Sequence, residues 1–300
     1  MPFGHYISNP LNIGPGQRFA AILGANPSQG ARSPALWNAA FTAHGGNETM
    51  VPMDVDGENL VPLLGELDAD IRFIGGAVAV PHKEALSQWL GERLTKTARQ
   101  IGAVNCLFRR DGQGPLWGTN TDGEGALVCI EAACGPLKDL QVVQLGVGGA
   151  GRAVAAYLAD AGAQLTLCVR DLEKISDFAT HIGARTVAWD DRAETLGGVV
   201  LAVNTTSLGG VAENMADQTP LNGDAFKLLP DDAWAYDIIY DPCPTRFLVL
   251  AAEHGLKTGD GRCMNLEQAV LGFGYAADEP KGRDATRAAM EAAKAGLESG

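Results

Sequence analysis

The chain has 300 residues, 46% of them hydrophobic and 20% charged, values of a globular protein long enough for two ordinary domains with separate cores. A formal net charge of −13 and a pI near 4.8 exclude nucleic acid and anionic membrane as expected partners, since both need a basic surface. Any anionic ligand must be held by locally placed donors.

In chain order, Phe19 to Leu23 is a short apolar strand ending at Gly24, and Pro34 opens a helix at its first turn. Met50 to Val55 reads as a strand, Asn59 to Leu67 as a helix, Ile71 to Val80 as extended, and Pro81 to Leu94 as a helix. Leu107 to Gly118 reads as a hairpin turning at Asp111-Gly112. Gly123 to Ala133 is helical and stops at Gly135-Pro136. Strands follow near Val199 to Val203 and Ala235 to Ile239, with helices between, and Asp284 to Leu297 is an alanine-rich terminal helix. The six cysteines (Cys106, Cys129, Cys134, Cys168, Cys243, Cys263) show no C-x-x-C or zinc spacing and read as reduced core thiols. The first residues lack a basic stretch followed by an apolar core, and no apolar run has the length of a membrane span, so the expected location is cytoplasmic.

The most specific stretch is Gln141-Val-Val-Gln-Leu-Gly-Val-Gly-Gly-Ala-Gly-Arg152, an apolar strand entering a glycine-rich turn and then a helix. Gly146, Gly148 and Gly151 make a G-x-G-x-x-G pattern: one glycine for the tight turn, one for close approach to a pyrophosphate, one for helix–strand packing. The helix from Arg152 to Asp160 would aim its free N–H groups at the phosphates. Such turns also occur without a ligand, but Leu165 to Val169 supplies the next strand and closes a βαβ unit, which points to a nicotinamide dinucleotide. In the first half, Ala79-Val-Pro-His-Lys-Glu84 puts Lys83 on the first turn of a helix, and Gly118-Thr-Asn-Thr-Asp-Gly123 carries Asp122. Lysine and aspartate together form a proton-handling pair, although each alone reads as a solvated helix-start lysine or an N-cap aspartate.

Taken in order, these segments resemble the shikimate dehydrogenase family over residues 19 to 275. The matching segments are Gly24-Ala-Asn-Pro27, Ser33-Pro34, Val80-Pro-His-Lys83, Ile101-Gly-Ala-Val-Asn105, Asn120-Thr-Asp-Gly123, Gly146 to Ala153, Asn204-Thr-Thr-Ser-Leu-Gly209, Tyr240-Asp-Pro242, and Asp260-Gly261 with Met264 and Gln268. The resemblance implies an α/β protein with an N-terminal substrate domain (residues 1–123, joined by the C-terminal helices from about 266) and a Rossmann-type domain (124–265), with the active site between them. It implies hydride transfer between NAD(P) and a ring secondary alcohol of a cyclic hydroxy acid, shikimate or a close analogue. Lys83 inherits the acid/base role on the reacting hydroxyl and Asp122 a hydrogen bond to the same region. Ser33, Asn105 and Gln268 fall to substrate, with Tyr240 near its carboxylate. Gly146, Gly148, Gly149, Ala150, Gly151, Asn204, Thr205, Thr206, Gly261 and Met264 fall to the cofactor. The protein is expected to work as a monomer or homodimer, with no metal.

The departures from the family pattern concern the substrate. Where the family reads H-S-x-S-P the chain has Gly30-Ala-Arg-Ser33-Pro34, and where it reads N-V-T-V-P-H-K the chain has Ala77-Val-Ala-Val-Pro-His-Lys83. Ala31, Ala77 and Ala79 thus replace polar ligand groups, and Arg32 either offers a guanidinium suited to a carboxylate or points to solvent. Cys263 stands at a family glycine beside the nicotinamide. For the cofactor, Arg170 and Lys174 match residues that hold the 2′-phosphate of NADP, whereas Asp171, 20 residues beyond Gly151, suits the ribose hydroxyls of NAD. The balance leans toward NADP. Quinate or an amino-shikimate is an alternative substrate. A non-catalytic dinucleotide sensor is a further alternative, against which Lys83, Asp122, Asn105 and Gln268 together argue.

Overall fold

The computed structural model describes residues 3–211 and 215–298, and the chain divides into two compact units, 1–121 with 268–300 and 122–267. The first unit begins with β1 (Phe19–Gly24), α1 (Ser33–His44), β2 (Thr49–Asp54), α2 (Gly57–Ala69) and β3 (Phe73–Val78). It continues with α3 (Lys83–Leu90), α4 (Lys96–Ile101), β4 (Cys106–Arg109) and β5 (Leu116–Thr119). Its sheet runs β2-β1-β3-β4-β5, with β1 parallel to both neighbours and the last two strands antiparallel. Every residue of β1 is buried, the expected fate of an all-apolar run paired on both sides. The core gathers Phe19, Leu23 and Phe73 with Leu60, Leu63, Leu64 and Leu67 of α2.

The hairpin is β4–β5, and Asp111 takes a left-handed φ of 54° at its turn, which an aspartate tolerates. Arg109 anchors it from inside: only 5% exposed, it donates to the carbonyls of Phe73 (2.8 Å), Leu67 (2.9 Å), Asp68 and Asp70. Burial lowers the affinity of this guanidinium for its proton, and Asp68 and Asp70 oppose that effect. The helix expected from Pro81 starts at Lys83 and is broken at Gly91, whose φ is +57°, before α4 begins.

The second unit contains α5 (Asp122–Cys134), β6 (Gln141–Leu145), α6 (Gly149–Asp160), β7 (Gln164–Val169), α7 (Leu172–Ile182) and β8 (Arg185–Ala188). Then come β9 (Leu201–Asn204), α8 (Gly223–Phe226), β10 (Trp234–Asp237), α9 (Arg246–Glu253), β11 (Lys257–Gly259) and the start of α10 (Gly261–Ala276). The rest of α10 and α11 (Arg283–Glu298) belong to the first unit. The six strands are parallel in the order β8-β7-β6-β9-β10-β11, which is the doubly wound Rossmann arrangement. Both faces are covered. Val142, Leu167 and Val203 meet α5, α6 and α7 on one side, while Val143, Leu145 and Ala202 meet Phe226, Phe247 and Leu248 on the other. The strand order reverses between β6 and β9, so the crevice for a ligand opens at their carboxyl ends.

One expectation is corrected. Cys129 and Cys263 are joined by a disulfide, with Cα atoms 5.9 Å apart, so not all six cysteines are reduced thiols. The bond spans 134 residues of sequence and forms because α5 and the first turn of α10 lie together in this unit, a pairing that cysteine spacing cannot reveal. Cys106 and Cys168 are buried and outside this disulfide, and burial raises the thiol pKa of Cys168. Among the described residues no helix is long and apolar enough to cross a membrane.

Candidate active site

In the first unit, β1 ends at Gly24, and the carboxyl end of β3 leads through the Val80-Pro-His82 loop to Lys83, the first residue of α3. This loop is pinned at both sides: Ala79 N donates to Leu23 O (2.8 Å), and Val104 N donates to Lys83 O (2.9 Å). His82 is buried, its Nε2 2.8 Å from Val55 O, so it is an anchor inside the unit while Lys83, the next residue, is only half-buried. Asn105 is 4% exposed and locked to the N-T-D segment: Thr121 N donates to its Oδ1 (2.7 Å) and its Nδ2 donates to Thr121 Oγ1 (3.1 Å). Thr121 Oγ1 in turn donates to Gln268 O at 3.0 Å, which ties this hairpin edge to α10. Asp122, immediately after Thr121, is buried at the start of α5.

Ser33, Asn105 and Gln268, widely separated in sequence, line one narrow pocket, together with Ala77, Thr121 and an apolar wall of Trp37, Cys106 and Gly272. Trp37, Cys106, Thr121 and Gly272 were not anticipated from the sequence. Trp37 stands one helical turn after Ser33 and Thr121 lies inside the N-T-D motif, so both carried a usable signal. Cys106 and Gly272 carried none. Arg32 is half-buried at the N-cap of α1, and Ala31 and Ala79 are half-buried in their loops.

In the second unit, β6 is followed directly by Gly146, whose φ of +90° only glycine adopts without strain. A Cβ there would lie 2.6 Å from Thr206 Cγ2, and one on Gly151 would lie 2.7 Å from Thr205 Oγ1. Helix α6 starts at Gly149, earlier than expected, with Gly148 as an N-cap that contributes no side-chain hydrogen bond. The first amides of the helix thus have no side-chain acceptor, and Cβ atoms built on Gly148 and Gly149 would meet nothing within 4 Å. Open, uncapped donors with the positive end of a helix behind them fit a pyrophosphate. This is the fit expected of a dinucleotide held by Gly146, Gly148, Gly149, Ala150 and Gly151.

The segment after β9 faces the same end of the sheet. Asn204 is fully buried and works from within: its Nδ2 donates to Asp237 Oδ2 (3.0 Å) and Leu208 O, and its Oδ1 accepts from Thr206 N and Oγ1. Asp237 also accepts from Thr245 Oγ1 (2.7 Å) and Ile239 N (3.0 Å). Burial nonetheless pushes its carboxyl up to about 6. Thr205 is buried too, which leaves Thr206 the more accessible of the three. After β7, Arg170, Asp171 and Lys174 are all exposed, and Asp171 caps α7 by accepting from Lys174 N at 3.0 Å. Tyr240 is 43% exposed beyond β10, while Gly261 and Met264 are buried in the first turn of α10. Cys263, between them, is committed to its bond with Cys129.

The profile of the shikimate dehydrogenase substrate binding domain matches residues 23–107. The shikimate dehydrogenase (NADP(+)) of Rhodospirillum rubrum is 39% identical over 289 residues, covering 91% of this chain and 96% of that protein. The crystal structure of shikimate 5-dehydrogenase from Thermus thermophilus in complex with NADP(H) and shikimate is 32% identical, with a TM-score of 0.74 over 92% of this chain and 99% of that one. The quinate dehydrogenase of Corynebacterium glutamicum in complex with NAD is 26% identical, with a TM-score of 0.78 over 92% of this chain and 99% of that one. With its Rossmann sheet, its glycine turn and these relatives, the chain belongs to the shikimate dehydrogenase family of NAD(P)-dependent oxidoreductases.

Proposed function

We propose that this protein interconverts a ring secondary alcohol and its ketone on shikimate or a close carboxylated analogue, with NADP(H) preferred. The observation that carries this reading is the pocket in which Ser33, Asn105 and Gln268 converge from three separate elements. Asn105 Oδ1 and Nδ2 are oriented by Thr121, so the amide reaches a substrate hydroxyl in a fixed pose. Lys83 removes the hydroxyl proton during oxidation and returns it during reduction, and Asp122 accepts a hydrogen bond from the same hydroxyl. The nicotinamide, when bound, supplies the hydride acceptor or donor. The glycine turn would hold the pyrophosphate, and Arg170 with Lys174 would meet a 2′-phosphate. The relatives named NADP(+)-dependent support that preference.

A second reading, quinate oxidation, is favoured by one feature: Ala31, Ala77 and Ala79 stand where the family pattern has polar residues, which leaves fewer groups fitted to shikimate, and a quinate dehydrogenase shares this fold. The deciding test is turnover of shikimate and quinate with NADP+ and NAD+, followed by the absorbance of the reduced nicotinamide. Shikimate with NADP+ giving the highest kcat/KM supports the first reading, and quinate giving the highest supports the second. No turnover of any ring alcohol, with cofactor bound, contradicts both.

A further inference from the structure

Strand β6 is apolar around Val142, Val143 and Leu145, yet Gln144 in its midst is fully buried. An amide stripped of water is unfavourable unless each polar atom is paired, and Gln144 Oε1 has no hydrogen-bond partner among the described residues. A leucine would fill the same space without that penalty, so packing alone does not account for a glutamine.

Its other atom does. Nε2 lies 2.8 Å from Gly151 O, 3.0 Å from Gly146 O and 3.1 Å from Thr205 Oγ1. The two carbonyls fix the orientation of the amide, since the reversed one would set oxygen against oxygen. Thr205 Oγ1 lies 2.8 Å from Gly146 O and donates to it. Two amide protons and one hydroxyl proton therefore serve three acceptors in a circuit: Nε2 to Gly151 O, Nε2 to Thr205 Oγ1, and Thr205 Oγ1 to Gly146 O. The circuit joins the first and third glycines of the turn to the segment after β9, across the point where the strand order reverses.

We propose that Gln144 is a positioning residue for the dinucleotide. It holds the Gly146–Gly151 turn and the Thr205 segment at one spacing and acts through them, not by contact with the ligand. The inference rests on the dinucleotide reading above. Replacement by leucine or methionine leaves little unsatisfied: Gly146 O keeps the Thr205 hydroxyl, and Gly151 O lies in α6, where the next turn offers an amide. Fold stability and cofactor binding should therefore separate.

The test uses the full chain and its Q144L, Q144M, T205V and Q144L/T205V variants. Dissociation constants for NADPH and NADH are measured by calorimetry, with Tm and steady-state rates alongside. Q144L and Q144M should each weaken both cofactors about ten-fold, the scale of a small misplacement of a binding group. Tm should hold or rise, and kcat at saturating cofactor should stay near wild type. Added to T205V, Q144L should do little more, because the shared circuit is already open. Folded variants that bind both cofactors as wild type overturn the proposal, as does full additivity with T205V. If neither single variant folds, Gln144 is purely structural and the proposal falls. A wild-type protein that binds neither cofactor would instead refute the dinucleotide reading itself.

Discussion

In the second unit the groups proposed to meet the dinucleotide are backbone amides of Gly146 to Gly151, placed by a turn and a helix start. In the first unit those proposed to meet the substrate are the side chains of Ser33, Asn105 and Gln268, set against a wall of Trp37, Cys106 and alanines. The contrast has a consequence for how the two ligands can change. Backbone donors survive any substitution that keeps the turn, so the dinucleotide site resists drift. The pocket can exchange one hydroxyl for one methyl at a time, altering the substrate while hydride transfer persists.

The comparison breaks most visibly at Lys83, the residue proposed above to transfer the proton. Lys83→Ala should lower kcat about 100-fold or more, the usual worth of general acid/base help, with cofactor affinity unchanged. Stopped-flow rates at saturating ligands are the check, and unaltered turnover removes Lys83 from the chemistry. Arg32, half-buried at the N-cap of α1, comes next. If its guanidinium binds the substrate carboxylate, Arg32→Ala raises KM for a carboxylated substrate roughly 10- to 150-fold and leaves kcat less affected. A silent substitution assigns the carboxylate to other groups.

Among the residues expected to meet the dinucleotide, the changeable one is a side chain, Asp171. Because threonine can also cap α7, Asp171→Thr removes charge while sparing the helix, and the NADP/NAD ratio of kcat/KM should rise a few-fold. An unmoved ratio leaves cofactor choice to Arg170 and Lys174. The smallest effect concerns Asp237. Its folded pKa of about 6 lies above the ordinary 3.8, so the folded state holds this proton more tightly than the unfolded chain. Its contribution is therefore full below about pH 4 and is lost as pH rises through 6. Urea unfolding should show wild type losing ground to Asp237→Asn across that window and running parallel above it. Parallel curves throughout would refute the assignment.

How much of this was legible in sequence follows the same division. The glycine turn, the alternation of strands and helices and the helix start at Lys83 are local patterns, and each is found in the element expected. Strands β8 and β11 were missed because they are short and half-exposed or exposed, without an apolar run. The Cys129–Cys263 bond, the apolar wall of Trp37 and Cys106, and the Gln144 circuit arise only when distant segments meet. A glutamine in an apolar strand reads as an irregularity until Gly151 and Thr205 are placed beside it.

The most direct test of the central claim is to restore the hydroxyls that the family pattern carries in the two loops of the first unit, after β1 and after β3. Ala31→Ser with Ala79→Thr should lower KM for shikimate roughly ten-fold, about what one or two regained hydrogen bonds provide, while the dissociation constant for NADPH stays put. A shikimate KM that does not move, or a cofactor constant that moves with it, would contradict the separation of a backbone-built cofactor site from a side-chain-built substrate pocket.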